Sequence, residues 1–204
     1  MIIAGAGGHG LEVFQLLTTI GIKPDSIYFF DENPAKPDSK LLPRPVLTDW
    51  SRLKDFFAKD ANFCLGVGNP VFREKLTMRM EELGGEYFGL RGNHLVGTIN
   101  SAVPFDLMSF AFLGPETNLG KGVLINTRAH VHHECSVGAY TEIGPGAMLL
   151  GAVQVGKKCR IGAGAIILPG IKLGDEVIVG AGAVVTKNIS SNKIMIGIPA
   201  KPLV

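Results

Sequence analysis

Several features that mark common protein classes are missing from this 204-residue sequence. The three cysteines (Cys64, Cys135 and Cys159) are widely spaced and form no CxxC pair, which argues against a disulfide scaffold and favours a reducing compartment. No apolar run reaches the roughly 18 to 20 residues of a membrane-spanning helix. The chain opens MIIAGAGGHG, without the basic and apolar regions of a signal peptide. We therefore expect a cytoplasmic protein that does not insert into a membrane.

The sequence also lacks a strong charge of either sign. The formal net charge is +2 at pH 7, and no run of five or more like charges occurs, so nothing favours nucleic acid as a partner. What the chain does contain is glycine: 27 residues, concentrated in the second half. Glycine at this density indicates either disorder or many tight turns. The high aliphatic content of the same region favours the turns.

A six-residue repeat organises the second half of the chain. Fourteen consecutive hexads begin with an aliphatic residue, from Leu107 to Val185. Small or branched residues occupy the fifth position, and glycine is frequent at the second, where we expect positive φ or close approach. Three such hexads, each making one short strand and one turn, close a triangular coil, and stacked coils bury the aliphatic column. The repeat therefore predicts a parallel β-helix of four to five coils over residues 107–190.

The first half alternates between strand and helix patterns and predicts a small α/β unit with a parallel sheet. The predicted strands are Met1–Gly5, Ser26–Phe30, Asn62–Val67 and Glu86–Leu90. The predicted helices cover Leu11–Thr19, a segment capped by Thr48 and reaching Lys59, and a segment from Pro70 to Leu83.

A glycine-rich loop joins the first predicted strand and helix. It reads GAGGHG, and such glycines let backbone N–H groups approach a phosphate at a helix N-terminus. Asp31 follows 21 residues after Gly10, at the end of the second strand, where an acidic side chain can bind a ribose hydroxyl. About 90 residues supply little more than half of a dinucleotide fold, so the pattern favours a nucleotide-sugar over NAD. A tight turn without any ligand is the alternative.

The loop after the third strand, Gly66–Pro70, is expected at the same sheet edge, where ligands of open α/β sheets gather. Arg73 in the following helix is expected either to reach a phosphate or to lie on the solvated surface.

Two imidazoles and a carboxylate interrupt the glycine-rich turns, at His132, His133 and Glu134. The repeat register points Val131 and Cys135 inward, so these three residues fall at or next to a turn. Histidine removes protons near neutral pH, and a neighbouring carboxylate can hold its tautomer. A polar turn without a role is one alternative. A zinc site that combines His94 and His130, which lie 36 residues apart, is another.

Taken in order, the motifs GAGGHG, Asp31-Glu32, GVGNP, INTRAHVHHEC, IGAGAIILPGIKLGD, VGAGAVVTKNI and IGIPAKPL span nearly the whole chain. This series resembles the sialic acid O-acetyltransferase-like sugar acyltransferases of the left-handed β-helix class. That family includes N-acetyltransferases of nucleotide-linked 4-amino-4,6-dideoxy sugars. The resemblance implies an N-terminal half-Rossmann-like domain that holds the nucleotide-sugar. It also implies a left-handed helix, a homotrimer and acetyl-CoA bound between adjacent prisms, with no metal.

By motif position, the resemblance implies that His133 is the general base and Glu134 its partner, and that the Gly151 amide meets the thioester carbonyl. The implied acetyl-CoA-binding positions are Ala163, Gly180, Ala181, Lys187, Pro199 and Lys201. The implied nucleotide-sugar positions are Gly8, His9, Gly10, Asp31, Glu32, Gly68 and Asn69. The corresponding domains are 1–92 for the nucleotide-sugar, 93–106 as a linker or irregular first coil, 107–190 for the β-helix and 191–204 as a tail.

The sequence departs from the family at Glu142, where many relatives carry a second histidine near the acetyl group, so the acetyl-side environment is expected to differ. The position of His132 is also often glutamate in relatives. The expected activity is acetyl-CoA-dependent N-acetylation of a nucleotide-linked amino sugar in glycan biosynthesis. O-acetylation of a sugar such as sialic acid, and a non-catalytic nucleotide-sugar-binding trimer, are the alternatives. The nucleotide base and the sugar stereochemistry stay open.

Overall fold

The computed structural model describes residues 1–33, 45–97 and 102–203, which form two compact units. The first unit comprises Met1–Gly68 and Phe72–Phe88, and the second comprises Asn69–Val71 and the chain from Gly89 onward. The domain boundaries inferred from the sequence, including a linker at 93–106 that lies partly outside the described residues, stay predictions.

A five-stranded parallel sheet forms the centre of the first unit, with the strand order β3-β2-β1-β4-β5. Its strands are β1 (Ile2–Ala4), β2 (Tyr28–Phe30), β3 (Val46–Leu47), β4 (Asn62–Leu65) and β5 (Glu86–Tyr87). The helices are α1 (Gly8–Thr19), α2 (Leu53–Phe57) and α3 (Pro70–Glu82), with short 3₁₀ turns at Pro24–Ser26 and Trp50–Arg52. The α/β organisation is the one that the sequence predicts.

The structure differs from the sequence-based description of this unit in two places. It contains strand β3, for which the sequence made no prediction and which adds an edge to the sheet. The N-cap that precedes the second helical segment is Asp49 rather than Thr48, because the Asp49 carboxylate accepts a hydrogen bond from the Ser51 N–H at 2.8 Å. Aspartate and threonine both serve as N-caps, so the composition alone did not separate the adjacent candidates.

Arg73 is buried, contrary to both expectations for it. Its guanidinium donates to the Val67 carbonyl at 2.9 Å and to the Tyr87 hydroxyl at 3.0 Å, and its side chain is fully inaccessible to solvent. Arg73 therefore holds the loop after β4 in place from inside the unit. It is not available to a phosphate at the surface.

The second unit is a parallel β-helix with three faces. Face 1 contains β7 (Asp106–Leu107), β10 (Leu124–Ile125), β13 (Glu142–Ile143), β16 (Arg160–Ile161), β19 (Ile178–Val179), β21 (Ile194–Ile196) and β22 (Lys201–Pro202). Face 2 contains β6 (Val96–Gly97), β8 (Phe112–Leu113), β11 (His130–Val131), β14 (Met148–Leu149), β17 (Ile166–Ile167) and β20 (Val184–Val185). Face 3 contains β9 (Asn118–Leu119), β12 (Ser136–Val137), β15 (Gln154–Val155) and β18 (Lys172–Leu173).

The repeat predicted from the sequence is confirmed in its register. Each of the fourteen two-residue strands from β7 to β20 ends on a first-position aliphatic residue. Neighbouring strands on one face pair in parallel 18 residues apart, as Ile125 pairs with Ile143, so three hexads make one coil. None of the first-position side chains is more than 5% exposed. Burial of this column stabilises the stack, because each large aliphatic side chain contributes about 1.5 to 3 kcal/mol.

Glycine serves the second position of the repeat through close approach. A Cβ added to Gly114 would lie 2.5 Å from the His133 backbone nitrogen of the next coil. The positive φ angles occur instead at the fourth position, where non-glycine residues such as Glu116 (57°), Glu134 (61°) and Glu176 (58°) adopt them. The two reasons offered for glycine in the repeat therefore apply to different positions.

The C-terminal segment closes the end of the β-helix. Strand β21 extends face 1 next to β19, and β22 returns antiparallel to β21. The Ala200 N–H donates to the Val184 carbonyl at 2.8 Å, which fastens the connecting loop to face 2. Among the described residues, no helix is long and apolar enough to cross a membrane.

Candidate active site

His133 and Glu134 form a hydrogen-bonded pair at the corner between face 2 and face 3. Their neighbours Val131 and Cys135 point into the core, which turns the intervening side chains outward. His133 Nδ1 lies 2.8 Å from a Glu134 carboxylate oxygen, and the side chains are 58% and 60% exposed. Glu134 adopts the left-handed conformation of the fourth repeat position. The pair therefore presents a tethered imidazole to solvent at a rigid corner.

Gly151 lies one coil beyond His133, directly against its ring. A Cβ on Gly151 would lie 2.5 Å from His133 Cε1 and 2.6 Å from Nε2, but 3.3 Å from Nδ1. The Nε2 edge of the imidazole thus faces Gly151, while the Nδ1 edge faces Glu134. Only glycine leaves this ring position open.

The Gly151 N–H lies outside the backbone ladder. At this turn the ladder bonds are donated by Leu150, to Ile167, and by Ala152, to His133. Within the described residues, the Gly151 N–H donates to no carbonyl, and the residue is partly exposed. The structure therefore combines an unbonded Gly151 N–H with the Nε2 edge of the His133 imidazole at the same corner.

An aromatic cluster packs beside the pair on the outer surface of face 2. The Phe112 ring lies 5.4 Å from that of His132 and 5.8 Å from that of His130. Burial, followed by the nearby His130 and His133 rings, lowers the pKa of His132 below its usual value. The lowered pKa favours the neutral form of His132, the residue next to His133.

Glu142 lies on face 1, away from the turn that carries His133. Its side chain is buried to 7% exposure, and its carboxylate lies 2.9 Å from Arg160 Nε in the neighbouring strand. No contact joins Glu142 to His133 or Gly151 among the described residues. The structure thus groups Gly151 with His133 but does not bring Glu142 to the same corner of this chain.

None of the three cysteines is exposed for nucleophilic attack. The Cys135 and Cys159 thiols donate to backbone carbonyls at 3.1 and 3.0 Å inside the prism. Burial raises the pKa of both, that of Cys159 to about 11. These thiols stay protonated, so a covalent acyl-cysteine route does not fit the site.

The proposed acetyl-CoA residues fall into two groups. Ala163 and Ala181 stack one coil apart at the corner between faces 1 and 2, with Gly180 beside Ala181, and both alanines are exposed. The second group lines a cleft of about 330 Å³ between the last coil and the C-terminal loop: Lys187, Pro199 and Lys201. The structure thus brings the two lysines, which lie 14 residues apart in the sequence, to one cleft.

In the first unit, some glycines of GAGGHG are packed against neighbouring backbone and others face open space. A Cβ on Gly10 would lie 2.4 Å from the Gly5 carbonyl oxygen, and Gly66 meets the same oxygen at the same distance. Gly7 and Gly8 have nothing within 4 Å of an added Cβ. The backbone at the start of α1 is therefore open to a ligand, and the first turn of this helix carries no acidic side chain to repel an anion.

Asp31 and Glu32 follow β2 at the same edge of the sheet. One Asp31 oxygen accepts from the Ala6 N–H and the other from the Asn33 N–H, both at 2.9 Å. The Glu32 carboxylate lies 3.0 Å from Lys75 Nζ of α3. These side chains border a cleft of about 350 Å³ whose lining residues are Gly5, Phe30, Asp31, Glu32, Asn33, Val67, Phe72, Lys75 and Leu76.

The remaining predicted substrate positions have varied surroundings. His9 Nδ1 contacts Glu12 at 3.0 Å, a hydrogen bond that lowers the pKa of Glu12. His9 Nε2 is buried and has no partner among the described residues. Asn69 accepts a hydrogen bond from the Val71 N–H at 3.0 Å, so its side chain already serves the start of α3. Gly68, which precedes Asn69, is partly exposed.

The residues considered for a zinc site do not form one group. His94 stacks on Phe110, at 4.9 Å between ring centroids, whereas His130 contacts Phe112. Among the residues that the structure describes, no group of three or more metal-binding side chains occurs. The absence of a metal requirement stays an expectation.

Comparison with known proteins identifies the family. Residues 1–80 match the PglD N-terminal domain, and residues 152–187 match the hexapeptide repeat of succinyl-transferase. The acetyltransferase domain of PglB from Neisseria gonorrhoeae, solved with acetyl coenzyme A, is 30% identical with a TM-score of 0.89, over 99% of this chain and 98% of that one. The chain belongs to the nucleotide-amino-sugar N-acetyltransferase family. The resemblance inferred from the motifs is therefore confirmed.

Two further solved structures match nearly the full chain. A mutant of GDP-perosamine N-acetyl transferase from Caulobacter crescentus, solved with CoA and GDP-perosamine, is 28% identical with a TM-score of 0.90, over 100% of this chain and 96% of that one. WeeI from Acinetobacter baumannii is 26% identical with a TM-score of 0.70, over the whole of both chains. As in other hexapeptide acyltransferases, the β-helix of this family member is left-handed and follows an N-terminal domain.

Sequence reasoning missed four residues that the structure places at the candidate sites: Glu12, Phe72, Lys75 and Phe112. Phe72 and Lys75 lie three residues apart at the start of α3, directly after the GVGNP loop. That spacing puts both on one side of a helix at the carboxyl edge of the sheet. The combination was a usable signal for a second wall of the cleft beside Asp31.

Proposed function

We propose that this protein transfers the acetyl group of acetyl-CoA to the amine of a nucleotide-linked sugar, of the 4-amino-4,6-dideoxy type. The observation that carries the proposal is the His133–Glu134 pair, whose Nε2 edge faces Gly151. Family membership supplies the reaction class. The relatives solved with acetyl coenzyme A, and with CoA and GDP-perosamine, support both substrates.

The proposed chemistry is direct transfer without an acyl-enzyme. The sugar nitrogen attacks the thioester carbonyl carbon while His133 Nε2 accepts a proton from the amine. Glu134 accepts a hydrogen bond from the Nδ1–H, which leaves Nε2 unprotonated as the base and stabilises the imidazolium that forms. The carbonyl oxygen becomes an oxyanion that the free Gly151 N–H stabilises. When the tetrahedral intermediate collapses, the carbon–sulfur bond breaks and the CoA sulfur leaves as a thiolate that takes up the proton.

The two lysines at the end of the prism suit the phosphates of CoA. Lys187 and Lys201 are both exposed and line one cleft, next to Pro199. Two ammonium groups without a carboxylate among the lining residues create a positive site. Ala163, Gly180 and Ala181 offer a smooth corner without side-chain bulk, which suits an extended pantetheine chain.

The nucleotide end of the acceptor is assigned to the first unit. The open backbone at Gly8 at the start of α1 suits the phosphates. The Asp31 carboxylate, held by two backbone N–H groups, is fixed for a ribose hydroxyl. His9, Gly10, Gly68 and Asn69 complete the proposed substrate set.

A homotrimer belongs to the same proposal. The outward residues of face 2 form a mainly apolar column: Val96, Phe112, His130, Met148, Ile166 and Val184. The corresponding residues of face 3 are polar: Asn118, Ser136, Gln154 and Lys172. An apolar column on one face is suited to contact with another copy of the chain. A cytoplasmic location is also proposed, because both substrates are formed there.

The test is a thiol-release assay with acetyl-CoA and an amino-sugar nucleotide. His133→Asn removes the base at nearly constant size and should lower kcat at least about a hundredfold, the usual contribution of a general base. Lys157→Ala, an exposed change at the same repeat position of another corner, should leave kcat unchanged. Turnover near the wild-type rate in His133→Asn would remove His133 from the mechanism.

A further inference from the structure

The cleft beside Asp31 has one wall that neither the phosphate nor the ribose assignment uses. This wall consists of Glu32, Lys75 and Phe72. Asp31 contacts the Ala6 N–H of the glycine-rich loop, so Glu32 stands one residue farther from the phosphate end. In a nucleotide, the base lies beyond the ribose, and the unused wall is therefore the place for the base.

Phe72 provides a stacking surface on this wall. Its side chain is 55% exposed although it lies on a helix that has a buried side. Aromatic rings at nucleotide sites stay open because bases stack on them. Val67 and Leu76, which line the same cleft, continue the apolar surface.

The Glu32–Lys75 pair presents hydrogen-bonding groups of both kinds to the cleft. The carboxylate has two acceptor oxygens, of which one lies 3.0 Å from Lys75 Nζ. The ammonium has three N–H donors, so two are left after the contact with Glu32. The edge of a base bound here would meet the two acceptor oxygens of Glu32 and, next to them, the donor ammonium of Lys75.

We propose that this pair reads guanine, so that the acceptor of the reaction is a GDP-linked amino sugar. Guanine is the base whose edge carries two adjacent donors, N1–H and the N2 amine, next to the acceptor O6. Both donors can reach the Glu32 carboxylate, and Lys75 donates to O6. Uracil and thymine carry one donor between two acceptors, which sets a carbonyl oxygen against the second carboxylate oxygen. The inference rests on the proposed function, since it assumes that the cleft holds a nucleotide.

The test measures the binding of nucleoside diphosphates by calorimetry, without acetyl-CoA. Wild-type protein should bind GDP at least tenfold more tightly than UDP or dTDP. Inosine diphosphate keeps N1–H and O6 but lacks the N2 amine, so it should bind about tenfold more weakly than GDP, as expected for the loss of one hydrogen bond to a charged group.

Glu32→Gln gives the sharpest comparison, because an amide offers one acceptor and one donor. In this variant, GDP and inosine diphosphate should bind with equal affinity. The affinity for UDP should rise relative to GDP, because the uracil edge fits an amide. Glu176→Gln is the matched control. It changes an ion pair on the β-helix, in which the Glu176 carboxylate lies 3.1 Å from Lys158 Nζ, and it should keep the wild-type order of nucleotide affinities. Lys75→Met should weaken the binding of GDP and of GMP by the same factor, because the lost contact is to the base that both nucleotides share.

The other possible outcomes separate the guanine inference from the proposed activity. Equal affinity for GDP and UDP, or an unchanged gap between GDP and inosine diphosphate in Glu32→Gln, refutes guanine reading while the proposed function stands. A loss confined to GDP in Lys75→Met assigns Lys75 to the diphosphate and refutes its role at O6. Absence of binding by every nucleotide refutes both the inference and the proposed acceptor. Guanine preference without acetyl transfer supports the inference and refutes the proposed activity.

Discussion

Replacement of Gly151 by alanine separates the position of the base from the stability of the fold. The added Cβ would lie 2.5 Å from His133 Cε1, whereas ordinary contact begins at 3.4 Å, so the ring must move by about 0.9 Å. The atoms that must move belong to an exposed side chain and not to the backbone. Gly151 does not adopt a positive φ angle, so alanine is compatible with its backbone.

The displacement acts on both edges of the imidazole. The ring either leaves the Glu134 carboxylate, now 2.8 Å away, or carries that side chain with it. In both cases Nε2 moves relative to the Gly151 N–H, which is fixed in the turn. Misplacement of a reacting group by about 1 Å costs on the order of a hundredfold in rate. That factor corresponds to about 2.7 kcal/mol of transition-state stabilisation.

The prediction is checked by thiol release and by thermal unfolding of the same preparation. Gly151→Ala should lower kcat about a hundredfold with an unchanged or slightly higher Tm, and Lys157→Ala should change neither. Retention of more than half of the wild-type kcat by Gly151→Ala would show that the ring position does not limit the reaction. A loss of activity that follows a fall in Tm would also contradict the prediction, since the glycine would then serve the fold.

Two further changes test other parts of the structure. Gly114→Ala should lower the free energy of unfolding by about 1 to 3 kcal/mol, because its Cβ would lie 2.5 Å from the His133 backbone nitrogen, which cannot rotate away; a urea titration that matches the wild type would contradict this. The double change Lys187→Met and Lys201→Met should raise KM for acetyl-CoA about tenfold or more while kcat is maintained, because two charge-assisted contacts to phosphate are lost. An unchanged KM would remove the cleft at the end of the prism from the CoA site.

The β-helix was predictable because its signal is periodic and repeated. Each hexad carries the same buried position, as at Ile125 and Ile143, so a single irregular residue does not obscure the register. The α/β unit gave weaker signals. Strand β3 has only two residues, Val46 and Leu47, and its place beside β2 depends on contacts that are distant in sequence. Its edges were therefore the part of the fold that the sequence described least well.

The candidate site shows the same division. His133 and Glu134 stood out because they occupy turn positions in a repeat that favours glycine nearby. The contact between His133 and Gly151 follows from the 18-residue coil, but the direction of the ring does not. The prediction for Arg73 was wrong because the sequence does not reveal which side of α3 packs inward. The Glu32–Lys75 pair joins residues 43 apart, and only the folded chain brings them together.

The most direct test of the account is the reaction itself. Wild-type protein is mixed with acetyl-CoA and, in turn, GDP-, UDP- and dTDP-linked 4-amino-4,6-dideoxy sugars, and both free CoA thiol and acetylated sugar are measured, the latter by mass spectrometry. We predict one N-acetylated sugar for each CoA released, with the highest kcat/KM for the GDP-linked acceptor. Release of CoA without an acetylated sugar, or no release with any of the three acceptors, would contradict the assignment.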